Sequence, residues 1–182
     1  MNPISAKFRS FLLRAKLAAL ATFALAAAVP AQGLQPVLPP GCEALQVAPG
    51  NHANLRLFAS GVQVYRFDPI SLTWKFSHPY ALLSADPAGH SLVGIHTGGP
   101  TWMSFSGSTV RAQKIEEATV DPQSVPWLLL EAVDSEGPGA FQDITYIQRV
   151  HTVGGRAPSA PGIPGEIALI PYTAQYVFYR GK

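Results

Sequence analysis

The chain has 182 residues, of which only 13% are charged, and a formal net charge of +2. This length has room for one domain. All 11 acidic residues lie beyond position 31, whereas four of the 13 basic residues precede it, so the remainder is slightly acidic; without a Lys/Arg cluster, nucleic acid is excluded as an expected partner.

Residues 1–31 are predicted to be a secretory signal peptide. A basic leading region precedes the apolar run Leu17 to Val29, and the small residues up to Ala31 are typical of a cleavage site. The run is shorter than the roughly 20 residues that span a bilayer. We therefore expect a secreted or periplasmic protein with no membrane span after signal removal.

Residues 32–53 are rich in proline and glycine and are predicted to form an extended arm rather than a folded element. Cys42, the only cysteine, lies in this arm. Exported proteins usually pair their cysteines. Cys42 is therefore interpreted either as a free thiol in a loosely held segment or as the site of a disulfide that joins two chains in a dimer.

Residues 54–182 are predicted to be an all-β domain. Val62 to Phe67 and Leu72 to Ser77 form a predicted hairpin, and the period of two in the second strand places Leu72, Trp74 and Phe76 on one face, which we expect to be buried. This alternation is the clearest strand signal in the chain.

Two later runs also predict buried strands. The apolar run that starts at Trp127 has the length of a strand, with a short helix as the alternative. Near the C-terminus, Tyr172, Ala174, Tyr176 and Phe178 share one side and predict a buried row of aromatic rings.

Glycine and proline make up 33 of the 182 residues, and no amphipathic helical run of a dozen residues appears after the signal. About ten short strands in about 130 residues indicate a single-domain β-sandwich or closed β-barrel.

An ordered series of short motifs runs through most of this domain. They are GVQVY (61–65), Trp74, PYALL (79–83), HTGGPTW (96–102), SGS (106–108), VPWLLL (125–130), IQRV (147–150), TVGG (152–155), PYTA (171–174) and YVFY (176–179). In this series the chain resembles the secreted bacterial and fungal family of domain of unknown function 3455. The resemblance implies an exported domain and brings no activity, substrate or catalytic residue with it.

The chain departs from the pattern that this resemblance implies. Many members carry two cysteines where this chain has Phe67 and no cysteine near 160–162, which is what a lost disulfide looks like. An acidic residue in the family corresponds to Ser106, and an asparagine corresponds to His151. These differences weaken a chemical role for either residue.

The stretch from Gly94 to Val110 is the densest in groups that could bind a ligand. Trp102 stands beside a glycine-rich turn among hydroxyl side chains, and aromatic faces stack on sugars. The predicted ligand-binding residues are His96, Thr101, Trp102, Ser104 and Ser106. Packing in a hairpin is the alternative role for Trp102, and core packing is expected for Trp74 and Trp127.

His96 shares a strand face with Gly94 and is expected to point inward, either as a packed side chain or as an acid/base or metal ligand. The other histidines are scattered, and the sequence leaves open whether His96 and His151 meet in space. No spacing typical of metal ligands, no nucleophile elbow around Ser106 and no phosphate-binding loop appear, so no catalytic residue, metal or cofactor is predicted.

Three hypotheses follow for the function. The first is a non-enzymatic exported domain that binds a glycan or another cell-wall or extracellular ligand near residues 94–108. The second is an enzyme or metal-binding protein centred on His96. The third is a structural or self-associating envelope protein.

Overall fold

The computed structural model of the protein describes residues 33–182, so the predicted signal peptide lies outside the described residues. A single-turn 3-10 helix, Glu43–Leu45, precedes eight strands. The strands are β1 (Asn51–Asp68), β2 (Thr73–Ser84), β3 (Leu92–Thr97), β4 (Thr101–Ser104), β5 (Thr109–Ala118), β6 (Trp127–Glu136), β7 (Ile144–Gly154) and β8 (Ile167–Gly181). Within residues 33–182, no helix is long and apolar enough to cross a membrane.

Each strand pairs antiparallel with the next one along the chain, and β8 pairs with β1 to close the sheet into a barrel. The all-β prediction is confirmed, and of its two architectures the barrel is the one that forms. The described residues form eight strands rather than about ten because β1 and β8, with 18 and 15 residues, are each longer than the short strands expected.

The interior of the barrel is built from alternate residues of the strands. The predicted row on β8 is confirmed, since Tyr172, Ala174, Tyr176 and Phe178 are all at most 4% exposed. Because successive strand side chains point to opposite faces, this row lines the interior of the barrel. The apolar run from Trp127 is strand β6 and not a helix.

The face of β2 was predicted wrongly. Trp74 and Phe76 lie in β2, and Leu72 lies just before it. The side chains of Leu72 and Phe76 are nevertheless 69% and 55% exposed. Trp74 is only half-buried, packed edge-on against Phe67 with its indole nitrogen donating to the Ala160 carbonyl at 2.9 Å. Alternation identifies a strand, but which face is covered depends on distant segments.

The proline-rich arm lies on the outside of the barrel. Its residues Cys42 and Leu45 pack in a second apolar cluster against outward side chains of β6, β7 and β8, namely Trp127, Leu129, Val150, Val177 and Tyr179. The Gln148 side-chain amide donates to the Leu45 carbonyl at 2.6 Å. The arm is therefore a docked part of the fold, contrary to the expectation of a loosely held segment, and β1 starts at Asn51, before the predicted boundary.

Cys42 is a free, buried thiol with 5% exposure. A disulfide between two chains would require the arm to lift from the outer wall, because the thiol is covered in the folded chain.

Candidate functional site

The wall of the barrel is incomplete where strands β3 and β4 are short. β2 pairs with β3 only through 81–84, and β5 pairs with β4 only through 109–111. Residues 73–80 of β2 and 113–118 of β5 therefore face each other across a gap, which we call the notch. The β3–β4 turn lies at its base, with the Pro100 carbonyl accepting from the Ala112 amide at 3.1 Å.

The turn at the base of the notch forms as its residues predict. Gly99 has a φ of 82°, a left-handed conformation that glycine adopts without strain. Gly98 lies against the neighbouring strand, where an added Cβ would stand 3.0 Å from the His78 Cβ. The turn thus brings His96 and Trp102 into direct cross-strand register on the two strands that it joins.

A cavity of about 280 Å³ opens at the notch and reaches into the barrel. Its mouth is formed by residues of β2, the β3–β4 turn and β5, and its inner part by residues of five strands. The lining residues are Phe76, Ser77, His78, Pro79, His96, Gly98, Gly99, Pro100, Trp102, Lys114, Leu128, Leu130, Arg149 and Tyr176.

An aromatic cluster forms the inner wall of the cavity. The rings of His96 and Trp102 are stacked, with centroids 4.3 Å apart and planes 10° apart. Tyr176 meets both rings edge-on, at 5.1 Å from His96 and 5.4 Å from Trp102. Because Trp102 has no exposed surface and His96 covers one of its faces, its indole is fixed in one orientation.

His96 is a neutral hydrogen-bonding group. Its Nδ1 lies 3.0 Å from the Thr101 carbonyl oxygen, which can only accept, so Nδ1 carries the proton. Burial lowers the pKa of His96 to about 3, against a smaller opposing effect of the Thr101 hydrogen bond. Such a histidine is a weak base near neutral pH.

One donor in the cavity lining lacks a partner, and others are poorly paired. Trp102 Nε1 is buried and makes no hydrogen bond with the described residues. The Tyr176 hydroxyl lies beside Tyr172 and Arg149, and the Tyr172 hydroxyl lies beside Gln63, but none of these contacts has the geometry of a full hydrogen bond. Burial raises the pKa of Tyr176, so its phenol keeps its proton and can donate. Most buried polar groups in proteins are paired.

Arg149 is a cation within this apolar and aromatic surrounding. It is 8% exposed, and its Nε and Nη2 donate to the Pro126 carbonyl at 3.1 and 2.8 Å. Its register partners are Leu128 on β6 and Tyr176 on β8. None of the described residues that line the cavity is an aspartate or a glutamate.

The structure separates the five predicted ligand-binding residues. His96 and Trp102 line the cavity, and Thr101 supplies the carbonyl that orients His96. Ser104 ends strand β4 and Ser106 lies in the turn that follows, roughly 10 Å or more along the chain from Thr101 at about 3.3 Å per residue. There Ser104 Oγ and Ser106 Oγ hydrogen-bond each other at 2.8 Å.

His151 is not near His96. It lies exposed on the outer side of the barrel, where its ring meets Trp127 edge-on at 5.0 Å, whereas His96 points inward. Its φ of 49° is in the left-handed region. Among residues 33–182, no three histidine, cysteine or carboxylate side chains gather as a metal site would require.

Sequence reasoning missed Arg149 and Tyr176 as site residues. One signal was present: Arg149 is a basic residue in phase with Ile147, an apolar residue that faces the interior. Charged side chains are rarely buried, so a charge on the inward face of a strand indicates a candidate functional residue.

A larger hollow of about 460 Å³ lies on the outer wall beside the loop 85–91. Its one carboxylate, Asp86, accepts from the backbone amides of Ala88 and Ser91 at 2.9 and 2.6 Å and from Ser84 Oγ at 3.0 Å. These bonds hold the loop. The unpartnered Trp102 Nε1 and the buried cation Arg149 belong to the lining of the smaller cavity, which is therefore the better candidate site.

The model of the family described as "Protein of unknown function (DUF3455)" matches residues 70–180, so the chain belongs to this family. The match includes every residue that lines the cavity and excludes the arm and β1. No curated protein and no solved structure matches the chain.

Proposed function

We propose that this member of the DUF3455 family is a binding protein that takes a small organic molecule into its barrel through the notch. The observation that carries this proposal is the buried Trp102 Nε1, which has no hydrogen-bond partner among the described residues and belongs to the lining of an open cavity together with the poorly paired Tyr176 hydroxyl. Both atoms are covered in this conformation, so a ligand reaches them by a small shift of the side chains at the cavity wall. A ligand that then accepted hydrogen bonds from them would remove the unfavourable burial of poorly paired polar groups.

The rest of the lining supports an organic ligand with an apolar part. Leu128, Leu130 and Phe76 contribute aliphatic and aromatic surface, and binding pockets are usually apolar with a few placed polar groups. The volume of about 280 Å³ equals that of roughly nine water molecules at about 30 Å³ each. This volume supports a ligand of one ring or a short chain.

This proposal narrows the sequence-based expectation of a glycan or wall ligand. A polysaccharide stacked on Trp102 is less well supported, because the indole has no exposed face and His96 already covers one side. The basic and then apolar N-terminus supports export. The proposed ligand is accordingly one that is met outside the cytoplasm.

Indole nitrogen NMR tests the proposal, because only one of the three tryptophans lines the cavity. The probes are benzoate, phenylacetate and hexanoate with their three primary amides, at millimolar concentration. We expect at least one probe to shift the Trp102 indole resonance while those of Trp74 and Trp127 stay in place. If no probe shifts Trp102, or if all three resonances move together, the proposal is wrong.

A matched pair of variants locates the binding. Leu128→Phe adds bulk inside the cavity, whereas Leu82→Phe adds the same ring to the outer hollow, where Leu82 is 44% exposed. We expect Leu128→Phe to weaken binding of the best probe by about tenfold or more, as loss of well-packed contacts does. Leu82→Phe is expected to leave it unchanged; the reverse result would place the ligand on the outer wall.

A further inference from the structure

Arg149 carries a charge that its surroundings do not balance. In the described part of the chain, no carboxylate lies within 4.0 Å of its guanidinium, and the ion pairs that do form involve other, more exposed residues. Its recorded hydrogen bonds all go to one backbone carbonyl, that of Pro126. A guanidinium has five N–H donors, and beyond that carbonyl the neighbouring acceptor is the neutral Tyr176 hydroxyl, whose contact with Arg149 is not a full hydrogen bond. The guanidinium therefore has no anionic acceptor among the described residues.

A buried cation without a counter-charge is strongly unfavourable. The nearby tyrosines do not provide that charge, because burial raises the pKa of Tyr172 and Tyr176 and keeps both phenols neutral. The positive charge of Arg149 does act on both phenols in the opposite direction to burial, so the three groups lie in one electrostatic environment. What this environment lacks is an anion.

We propose that the ligand of the cavity is a small organic acid whose carboxylate binds to Arg149. This inference rests on the proposed function and specifies its ligand class. The planar guanidinium matches a carboxylate better than an ammonium group does. The Tyr176 hydroxyl and Trp102 Nε1 are further donors in the same lining, and the aliphatic residues Leu128 and Leu130 contact the apolar remainder of the acid.

The mouth of the cavity holds a second cation. Lys114 stands on its rim, and no aspartate or glutamate belongs to the lining. Lys114 is already paired with Glu117 at 2.6 Å and is half exposed, so solvent and this partner screen it. We therefore assign the anion to Arg149 and test Lys114 as the competing partner.

The test compares each acid with its own amide, since benzoate and benzamide differ in charge but hardly in shape. Dissociation constants from the Trp102 indole shift are measured for the wild type, Arg149→Gln and Lys114→Gln. We expect the wild type to prefer the acid by about tenfold or more, as a charge-assisted hydrogen bond provides. Arg149→Gln should bring the ratio close to one, and Lys114→Gln should change it by less than about threefold.

Two results would overturn this inference and leave the proposed function standing. One is equal binding of acid and amide by the wild type at the Trp102 site; the other is an acid preference that Lys114→Gln abolishes and Arg149→Gln does not. If no probe reaches Trp102, the proposed function itself fails. Should Arg149→Gln not fold, Tyr176→Phe retains the ring and should weaken benzoate binding by about threefold to tenfold; unchanged binding would contradict the assignment.

Discussion

The two turns on either side of strand β4 look alike in sequence and differ in what their polar groups do. The turn 97–100 and the turn 105–108 each contain glycine, and each follows or precedes hydroxyl side chains. In the second turn the hydroxyls bind one another and the backbone, whereas next to the first turn the Trp102 Nε1 donor has no partner among the described residues and belongs to the lining of a cavity. A dense run of polar residues therefore says little about binding until their hydrogen bonds are assigned.

The hydroxyl groups of the second turn are used by hydrogen bonds within the fold. Ser104 Oγ accepts from the Ser106 amide at 3.1 Å and donates toward the Val93 carbonyl at 3.3 Å, and buried Ser108 Oγ accepts from the Phe141 amide at 3.0 Å. Gly107 adopts a φ of 97°, as a turn glycine does. These hydrogen bonds hold the hairpin together.

The largest effect that separates the two turns is expected from truncating their aromatic residues. Trp102→Ala should lower the free energy of unfolding by about 3–5 kcal/mol, since it empties a fully buried site in the aromatic cluster. Phe105→Ala, at a residue 64% exposed in the second turn, should lower it by less than about 0.5 kcal/mol. Urea denaturation measures both, and similar losses would show that the turns are equally packed.

The pH dependence of stability gives the next largest effect. The folded chain holds the pKa of His96 at about 3, below the unfolded value of about 6.5, so the unfolded state binds the extra proton between these values. Stability from this group is therefore complete above about pH 6.5 and falls by about 1.4 kcal/mol per pH unit as the pH drops toward 3.

His96→Phe removes this contribution while retaining a ring that can stack on Trp102. Relative to the wild type, the variant should gain about 2 kcal/mol when the pH is lowered from 7 to 5. Loss of the hydrogen bond to the Thr101 carbonyl changes the free energy of unfolding equally at the two pH values, so it cancels in this comparison. Denaturant unfolding at the two pH values measures this change. If the difference in free energy of unfolding between the variant and the wild type were the same at both pH values, the lowered pKa of His96 would be wrong.

A smaller effect is expected inside the second turn. Ser108→Ala removes the acceptor of the buried Phe141 amide and should cost about 1.5 kcal/mol, because the amide is left unpaired away from water. Urea denaturation measures this loss, and the Trp102 indole shift measured with benzoate should be unaffected. A loss of benzoate binding with this variant would mean that the two turns form one site.

The regular part of the fold could be predicted from the sequence because it depends on local alternation. The hairpin of β1 and β2 was predicted from two strand-like runs and the turn-like residues between them, and the inward row on β8 was predicted from a period of two. The choice of face on β2 could not be read, because the cover over Trp74 comes from residue 160, far along the chain. The docking of the arm was missed for the same reason, since its partners are outward residues of β6, β7 and β8.

The candidate site was predicted only in part. His96 and Trp102 were identified from residue type and position, and they do lie together in the cavity lining. Arg149 was missed although it alternates in phase with the inward Ile147, because a charged side chain in a strand is ordinarily expected to face solvent. The lack of a counter-charge near Arg149 depends on residues of several neighbouring strands, so no single segment of the sequence reveals it.

The smallest effect, and the sharpest for the contrast between the two turns, is expected from Ser106→Ala. Ser106 is exposed and its hydroxyl binds only Ser104 Oγ among the described residues, so water can replace that bond and unfolding should change by less than about 0.5 kcal/mol. The dissociation constant of benzoate should stay the same, whereas Tyr176→Phe, which removes a single hydroxyl from the cavity, should raise it. The Ser106 hydroxyl bonds only within its own turn, so it can affect benzoate only by contacting it. If the two variants weakened benzoate binding equally, the hydroxyl groups of the second turn would therefore belong to the binding site.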